Sequence, residues 1–385
     1  VLMLDAGLTR WPTPHSQRPP LAELRSGHND AWRYLLGDRA EALREPSNAS
    51  PKLRTAAPAA LCADFNEANA LHGVGFNSIG ALAAGGLSNI WGGGVSAYDD
   101  NDLCGPIRAA DLAQSFRAVA ARIGVSGSAT DEMADLHGSE LPLLPPTDLS
   151  PAAEFIYRRY AVKRLKLNTR IGRARNAVLT KSHGEREACA LDNACHWGCR
   201  LRSIYNSGDE FPKLRNHQNF RYRGAFLVTR LFRDGNEVGI EAIDRAQGEK
   251  ARLTAKRVVL ATGTLVSTKL VLDLLKRYDR DIPLQTAPSA GVAIFIPPLL
   301  GQPLPQRAFG LAQLSFQTRI PRVSEPSLYA FGSIFAADSL SAPDLLSALP
   351  LTRRGGLGFI HGVLPILLIG LCYFPGEYSA CLLYT

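Results

Sequence analysis

Residues 85–94 read Gly-Gly-Leu-Ser-Asn-Ile-Trp-Gly-Gly-Gly, and this stretch decides which fold the sequence predicts. Its five glycines let the backbone approach a flat ligand closely. Ser88 and Asn89 add side-chain hydrogen-bonding groups suited to a pyrophosphate or to the edge of a flat ring. A glycine turn without any ligand would have the same composition. The stretch by itself therefore leaves a ligand-binding loop and a structural turn open.

A second segment, at the start of the sequence, indicates nucleotide binding. Val1 to Leu4 form a short apolar run that predicts a strand, and Asp5, Ala6 and Gly7 follow it. In a dinucleotide-binding fold, a carboxylate at the end of the second strand accepts hydrogen bonds from the adenosine ribose. Asp5 fits that position, although an acidic residue after a strand often only closes a turn. The glycine-rich phosphate loop expected about twenty residues earlier is not in this sequence.

A third segment, residues 258–264, reads Val-Val-Leu-Ala-Thr-Gly-Thr. Residues 256–260 predict a strand and residues 266–275 predict a helix, so the segment is a strand-to-helix connection. Small residues at the carboxyl end of a strand leave room for a cofactor, and Thr264 is the expected N-cap of the helix. The alternative is an ordinary turn between the two elements.

Composition and element order predict the fold class. With 385 residues, 46% of them hydrophobic, the chain can bury a large core. We expect an α/β protein, with a doubly wound nucleotide-binding domain over residues 1–280 that carries long insertions, and a second, sheet-containing domain over 281–385. Proline-rich polar sequence up to Pro58 predicts a long surface excursion, and residues 125–150 predict a linker or loop. The other predicted elements are a helix over 105–124, a hairpin of strands 226–231 and 237–243, and strands over 310–320 and 327–335.

The net charge of +8 is spread along the chain and includes no nucleic-acid motif, so we expect no nucleic-acid partner. The basic segment 158–164 leaves open contact with phosphate, with anionic lipid or with an acidic subunit.

No signal peptide is visible. The uncharged run 358–374 is short for a membrane helix and contains Pro365, so it predicts a buried helix and strand, with interfacial membrane contact as the alternative. These features favour a cytoplasmic or membrane-peripheral location.

Taken in order, the three segments and the hairpin resemble the flavin-binding elements of the glucose-methanol-choline oxidoreductases, especially bacterial relatives similar to sugar dehydrogenases. The resemblance covers about residues 1–275. It implies an FAD-dependent enzyme that oxidises a CH–OH group of a small sugar or alcohol by hydride transfer to the flavin. In that family the residue at the position of Val228 meets the adenine through its backbone. The residues that the resemblance assigns to FAD are Asp5, Gly7, Gly85, Gly86, Ser88, Asn89, Trp91, Gly92, Gly93, Val228, Ala261, Thr262, Gly263 and Thr264.

The sequence departs from that family at both ends. The first strand with its phosphate loop has no counterpart, nor has the late pair of catalytic residues. His361 is the histidine that follows His217, and it lies in an apolar run, so it is a weak candidate for the catalytic residue. We therefore expect a flavin fold truncated at both ends, and a chain that is inactive by itself.

Seven cysteines, unevenly spaced, argue against a secreted disulfide scaffold. Cys189, Cys195 and Cys199 lie within eleven residues, which suits an iron–sulfur cluster or a metal, and three reduced structural cysteines are the equal alternative. His183 or His196 is a candidate for a fourth ligand.

The segment from Cys189 to Asn206 is similar to the stretch of membrane-associated flavin sugar dehydrogenases in which three cysteines hold a three-iron cluster that relays electrons from the flavin. That similarity implies an electron-acceptor subunit or a peripheral membrane contact as partner. The rival hypothesis is a non-catalytic electron-transfer or assembly subunit that has a metal site on a decayed flavin fold.

Overall fold

The computed structural model describes residues 1–7, 23–24, 33, 38–39, 61–74, 78–100, 102–103, 105–138, 140–278, 281–320, 328–338, 349–376 and 382–383. The predicted surface excursion up to Pro58 lies almost entirely outside these ranges.

Strands are distributed along the whole described chain. In chain order they are β1 (Leu2–Leu4), β2 (Val125–Ser126), β3 (Leu143–Leu144), β4 (Thr169–Arg173), β5 (Arg221–Arg223), β6 (Phe226–Asp234), β7 (Glu237–Asp244), β8 (Lys250–Ala255), β9 (Ile282–Pro283), β10 (Ser289–Phe295), β11 (Leu314–Ile320), β12 (Leu328–Ala336), β13 (Leu367–Tyr373) and β14 (Leu382–Leu383).

The α-helices are α1 (Phe65–Ala68), α2 (Ala109–Ile123), α3 (Ala134–His137), α4 (Pro151–Lys163), α5 (Phe211–Arg215), α6 (Thr264–Leu274) and α7 (Arg353–Val363). Short 3-10 helices cover Gly86–Asn89, Arg164–Lys166, Cys195–Trp197, Ser207–Glu210, Pro297–Leu299 and Leu364–Ile366.

The boundaries of the longer helices follow from local sequence. α4 begins at Pro151 because the Ser150 hydroxyl accepts a hydrogen bond from the backbone N–H of Ala153 at 3.3 Å. α2 ends at Gly124, whose φ of 72° suits a residue without a Cβ. The predicted helix over 105–124 is thereby confirmed, and so is the helix over 266–275, which is α6.

The largest sheet has the strand order β10-β13-β12-β11-β4, and its neighbouring strands all run antiparallel. α4 packs on one face of this sheet, where Ala152 and Ala153 meet Leu314 and Leu368 in one buried cluster. Burial of each leucine side chain stabilises the fold by about 1.5–3 kcal/mol. β4 lies before residue 280, whereas its sheet partners all follow that residue, and the domain boundary at 280 stays a prediction.

The three-stranded antiparallel sheet β6-β7-β8 contains the predicted hairpin, which is confirmed. Gly235 turns the chain there with a φ of 59°. α6 covers this sheet through Val266 and Leu270, which pack against Leu231. The predicted strand over 256–260 is wrong: no strand is assigned to it, because it pairs with no strand among the described residues, and Val259 is 90% exposed.

Two short parallel pairs, β1-β5 and β2-β3, complete the described strands together with the antiparallel pair β9-β14. The chain is therefore a mixed α/β protein, as the sequence predicted at that level. The doubly wound dinucleotide-binding sheet stays a prediction. The segment predicted as a linker over 125–150 instead contains β2, α3 and β3, because Val125 and Met133 are buried.

The uncharged run 358–374 forms the end of α7 and the whole of β13, which confirms the predicted helix and strand. Leu364, Leu367 and Leu368 are buried in the protein core, which explains why the run is apolar. Among the described helices, none has the length and hydropathy needed to cross a membrane.

Candidate functional site

The glycine-rich segment forms a tight turn and then a short 3-10 helix. Gly85 precedes that helix with a φ of 91°, a conformation that side chains rarely adopt. A Cβ on Gly85 would lie 2.5 Å from Asn206 Oδ1 and 2.9 Å from the backbone N of Gly208. The segment is therefore packed tightly against residues 206–208, which follow the cysteines in sequence.

The polar side chains of the segment are engaged by the same neighbour. The Ser88 hydroxyl donates to Gly85 O at 2.5 Å and accepts from the backbone N–H of Ser207 at 3.0 Å. Asn89 Oδ1 accepts from Asn206 Nδ2 at 2.7 Å. These two side chains, predicted to face a ligand, thus form the contact between two distant parts of the chain.

Asp5 and Gly7 lie at the end of β1, directly beside the residues that precede Gly85. A Cβ on Gly7 would be 2.4 Å from the backbone N of Ala84, so only glycine fits there. The Asp5 carboxylate accepts from the backbone N–H of Gly7 at 2.6 Å through Oδ1. Burial raises the pKa of Asp5, and the Gly7 hydrogen bond partly offsets that rise. A carboxylate in such a half-buried place gains from any further hydrogen-bond donor.

The first residue of β6 lies beside this turn: the backbone N–H of Phe226 donates to Asp5 O at 2.9 Å. Val228 lies two residues further along β6, where the pairing with β7 shifts register between Val228 and Arg230. The structure thereby brings Asp5 and Gly7 against the residues that precede the glycine-rich segment, while Val228 packs against the cluster of Leu231, Val266 and Leu270.

Residues 261–264 are not brought into that region by any described hydrogen bond. All of them are exposed, and the described polar contact of their side chains is local: Thr262 Oγ1 lies 2.9 Å from Ser267 Oγ. The expectation that Thr264 caps α6 is wrong. Gly263 occupies the N-cap position with a φ of 83° and Thr264 is already helical, since the chain enters the helix through a conformation that glycine adopts readily.

Several glycines leave backbone open to a ligand. A Cβ on Gly86, Gly94 or Gly263 would meet nothing within 4 Å. Gly93 differs, because a Cβ there would be in van der Waals contact with Leu311, 3.7 Å away. Asp5 is the residue type that the ribose of a nucleotide cofactor requires. Gly86 offers space and not a donor, because its backbone N–H already donates to Ala83 O at 2.7 Å.

The three cysteines line one small cavity, together with Ala190, Asp192, Arg200, Leu201, Ser203 and Ile204. All three thiols are free, and Cys189 and Cys195 pack against Val178, Phe309 and Leu311. Neither His183 nor His196 is among the lining residues described. The structure therefore brings the predicted cysteines together and adds a carboxylate that the sequence analysis did not single out.

Backbone N–H groups point at each cysteine sulfur. Cys189 Sγ accepts from Leu191 N at 3.4 Å, and Cys199 Sγ accepts from Ser203 N at 3.1 Å. Cys195 Sγ accepts from the backbone of Gly310. Donors of this kind stabilise sulfur that carries negative charge, as in thiolate ligands of metals.

Burial nevertheless raises the pKa of the Cys189 thiol to about 11. The pKa of Cys195 is raised well above its ordinary value, again mainly by burial and further by Cys189 and Cys199. These thiols stay protonated at neutral pH unless a cation offsets the charge of the thiolates, and a bound metal would do so. In the described part of the chain, however, no group of three or more His, Cys, Asp and Glu side chains is arranged to hold a metal ion.

The cysteine cavity and the glycine-rich segment form one structural unit. Ile204 lines the cavity, and its Cγ2 would lie 3.8 Å from a Cβ on Gly93. The next residue, Tyr205, accepts a hydrogen bond from Trp91 Nε1 at 2.8 Å through its backbone O. This contact gives Trp91 a structural role beside the cavity.

Arg186 anchors this unit and was missed by the sequence analysis. Its guanidinium is buried and donates to the backbone O atoms of Ile123, Arg202 and Ser203 at 2.6, 3.0 and 2.9 Å. It also lies 5.5 Å from the centre of the Tyr205 ring. A single arginine in a polar stretch gives no local signal, so only the three-dimensional structure shows its role.

His361, the weak catalytic candidate, lies on α7 and is exposed. The buried residues around α7 are Ala337, Ile360, Leu364 and Leu367, and none of the residues assigned to FAD belongs to that cluster. A catalytic role for His361 stays a prediction.

No family model matches the chain. Over 189 residues the chain is 29% identical to the 6'''-hydroxyparomomycin C oxidase of Streptomyces lividus, an alignment that covers 48% of this chain and 33% of that protein. The relative is an oxidase. The chain thus spans about a third of the length of the curated relative that it matches, and the similarity supports the oxidoreductase class predicted from the sequence.

The contact between Ser88 and Ser207 provides a first test of the site. Ser88→Ala leaves the part-buried Ser207 N–H without its acceptor and is expected to lower the free energy of unfolding by about 1–2 kcal/mol. Urea denaturation measures the change. Ser128→Ala is the control, since the Ser128 hydroxyl contacts Thr130 N in an exposed turn. Equal effects of the two substitutions would contradict the contact.

Proposed function

We propose that the chain is part of a flavin-dependent oxidoreductase that oxidises a CH–OH group of a small sugar or alcohol. The observation that carries the proposal is the packing of the Asp5 turn against the start of the glycine-rich segment, with Gly7 fitted onto Ala84. The similarity to an oxidase agrees with it. FAD, when bound, supplies the hydride acceptor.

The residues of this chain would bind and position that cofactor. Asp5 would accept hydrogen bonds from the ribose hydroxyls, while its Oδ1 accepts from the Gly7 N–H. The open space at Gly86 would leave room for the phosphates. The part-buried contacts of Ser88 and Asn89 with residues 206–207 hold the backbone there in place.

The test is flavin retention by the 385-residue chain and by Asp5 variants. Asp5→Ala is expected to weaken FAD binding by about 1.5–3 kcal/mol, the value of a charge-assisted hydrogen bond. Flavin fluorescence titration gives the dissociation constant. Asp5→Asn is the matched variant, because its side-chain oxygen still accepts from Gly7 N–H while the charge is lost. We expect it to keep the stability of the turn and lose most of the affinity. Unchanged affinity in both variants would remove the assignment of Asp5.

The second candidate function is a non-catalytic electron-transfer or assembly subunit, and the cysteine cavity is the observation that favours it. Absorbance of the purified chain separates the two. Flavin bands support the enzyme, whereas bound metal in a chain that takes up no added FAD supports the subunit.

A further inference from the structure

The end of α4 and the short 3-10 helix that follows it form an exposed segment. α4 packs on the five-stranded sheet through Ala152 and Ala153, and Tyr160 is its last buried residue. Every residue from 161 to 168 is then exposed. These residues read Ala-Val-Lys-Arg-Leu-Lys-Leu-Asn, so basic and apolar side chains are interspersed in them. We call residues 158–168 the basic tip.

The basic tip is fixed to the rest of the protein on both sides. The Tyr160 hydroxyl donates to the Glu132 carboxylate, and Arg164 Nε lies 3.3 Å from the same carboxylate. At the far end, the backbone O of Asn168 accepts from the Arg319 N–H at 3.0 Å. The tip is therefore held in one conformation before it meets a partner, which lowers the entropic cost of binding.

Two apolar side chains of the tip are almost fully exposed. Val162 is 86% exposed and Leu165 is 94% exposed. They are three residues apart where the α-helix passes into the 3-10 helix, so they lie on the same face. A surface that removes both side chains from water would gain the free energy of their burial.

Cations flank this apolar pair. Arg159, Lys163 and Lys166 recur at spacings of four and three residues, which places them in one stripe beside Val162 and Leu165. Among the described carboxylates, none forms an ion pair with these three cations. The tip therefore presents positive charge next to exposed apolar side chains.

The carboxylates nearest the tip are paired with other cations. Glu154 Oε1 lies 2.6 Å from Arg158 Nε, and Glu132 Oε1 lies 3.3 Å from Arg164 Nε. The stripe of Arg159, Lys163 and Lys166 thus keeps its charge for a negatively charged partner.

We propose that the basic tip binds an anionic lipid surface, with Val162 and Leu165 inserted among the headgroups and the stripe of cations on the lipid phosphates. Apolar side chains beside Lys and Arg suit the boundary between headgroups and acyl chains. The long stems of Lys and Arg lie along apolar surface while their charged ends reach the phosphates. An acidic protein fits less well, because a stable protein interface uses about 20–30 residues on each side and is depleted in lysine.

The experiment measures cosedimentation of the 385-residue chain with vesicles. Vesicles of phosphatidylcholine alone are compared with vesicles of equal parts phosphatidylcholine and phosphatidylglycerol. The chain is expected to bind the neutral vesicles roughly a hundredfold more weakly, since each of three cations near an anionic surface strengthens binding about fivefold. Sodium chloride is expected to release it from the anionic vesicles, because the Debye length falls to ~3 Å at 1 M salt.

Two double variants separate the charges from the apolar contacts. Lys163→Gln combined with Lys166→Gln is expected to bind anionic vesicles roughly 25-fold more weakly. Val162→Ser combined with Leu165→Ser keeps every charge and is expected to bind about tenfold more weakly, because the apolar contact is lost.

Matched controls use exposed residues elsewhere in the chain. Lys250→Gln combined with Lys256→Gln removes two exposed cations at the two ends of β8. Val259→Ser removes an apolar side chain that is exposed to a similar extent as Val162. Both controls are expected to bind vesicles as the wild-type chain does. Circular dichroism confirms that each variant is folded, as substitutions at exposed positions normally are.

Both double variants must lose affinity, and wild-type affinity in either one overturns the inference. A wild-type chain that stays unbound with every lipid mixture overturns it too, and retention of that chain on immobilised polyglutamate would assign the tip to an acidic protein instead. Leu165→Trp adds a direct measurement. Its fluorescence, after subtraction of the wild-type emission, is expected to shift to shorter wavelength on anionic vesicles, and an unchanged emission would contradict insertion.

Discussion

Replacing Gly85 by alanine is expected to lower the free energy of unfolding by about 3–5 kcal/mol, from the strain of a positive φ and from steric overlap. At a φ of 91° an alanine is strained in any surroundings. Its Cβ would also lie 2.5 Å from Asn206 Oδ1 and 2.9 Å from the backbone N of Gly208. Residues 206–208 would have to move, which would break the contact between the glycine-rich segment and the chain that follows the cysteines.

Gly86→Ala is the matched control for this prediction. Gly86 has a φ of 52°, and a Cβ there would meet nothing within 4 Å, so only the backbone strain of about 1–2 kcal/mol is expected. Chemical denaturation followed by circular dichroism compares the two variants. Flavin titration adds a second comparison, since Gly86→Ala fills open backbone where the cofactor is proposed to lie. Equal destabilisation by both substitutions would show that residues 206–208 do not confine Gly85.

The free energy of unfolding is expected to fall by about 3 kcal/mol between pH 6.5 and pH 4 because of His137 alone. The pKa of this imidazole is lowered from 6.5 to about 4, mainly by burial and also by Arg175, while Asp135 opposes the shift. Since the unfolded chain binds the proton more readily, stability is fully present above pH 6.5 and is lost as the pH falls towards 4.

The structural reason is that the neutral ring has partners on both sides. His137 is 2% exposed, with Nδ1 3.0 Å from Ser96 Oγ and Nε2 2.9 Å from Ser315 Oγ. In His137→Gln the pH profile of stability between 6.5 and 4 should be flatter by the same amount. Ser128→Ala, which removes no titratable group and lies in an exposed turn, should leave the profile unchanged. Denaturation curves at a series of pH values measure this, and an unaltered slope in His137→Gln would refute the assignment.

Sequence patterns predicted the elements that depend on neighbouring residues. The hairpin around Gly235 and the helix α6 were confirmed because turn chemistry and apolar periodicity act over a few residues. The segment over 256–260 had an equally strong strand pattern and is not a strand. A strand also needs a partner, and a local pattern cannot supply one.

The candidate site was predictable only in part for the same reason. The cysteines and the glycine-rich segment were visible as motifs, but Ser88 contacts Ser207 across 119 positions of sequence. That contact links two distant segments, and the prediction that these side chains bind a ligand stays a prediction. Asp192 was visible in the sequence as well, but only the cavity shows that it lies beside the cysteines.

The position of β4 in the five-stranded sheet determines the order in which the chain can fold. Thr169 of β4 pairs with Thr318 of β11, so the edge of the sheet is completed only after the intervening chain has been made. During synthesis β4 and the apolar face of α4 leave the ribosome well before β11, β12 and β13 exist to cover them. Until then β4 has unpaired backbone groups and α4 has exposed apolar side chains. We expect a chaperone that binds extended apolar chain to bind this segment until β13 has been made.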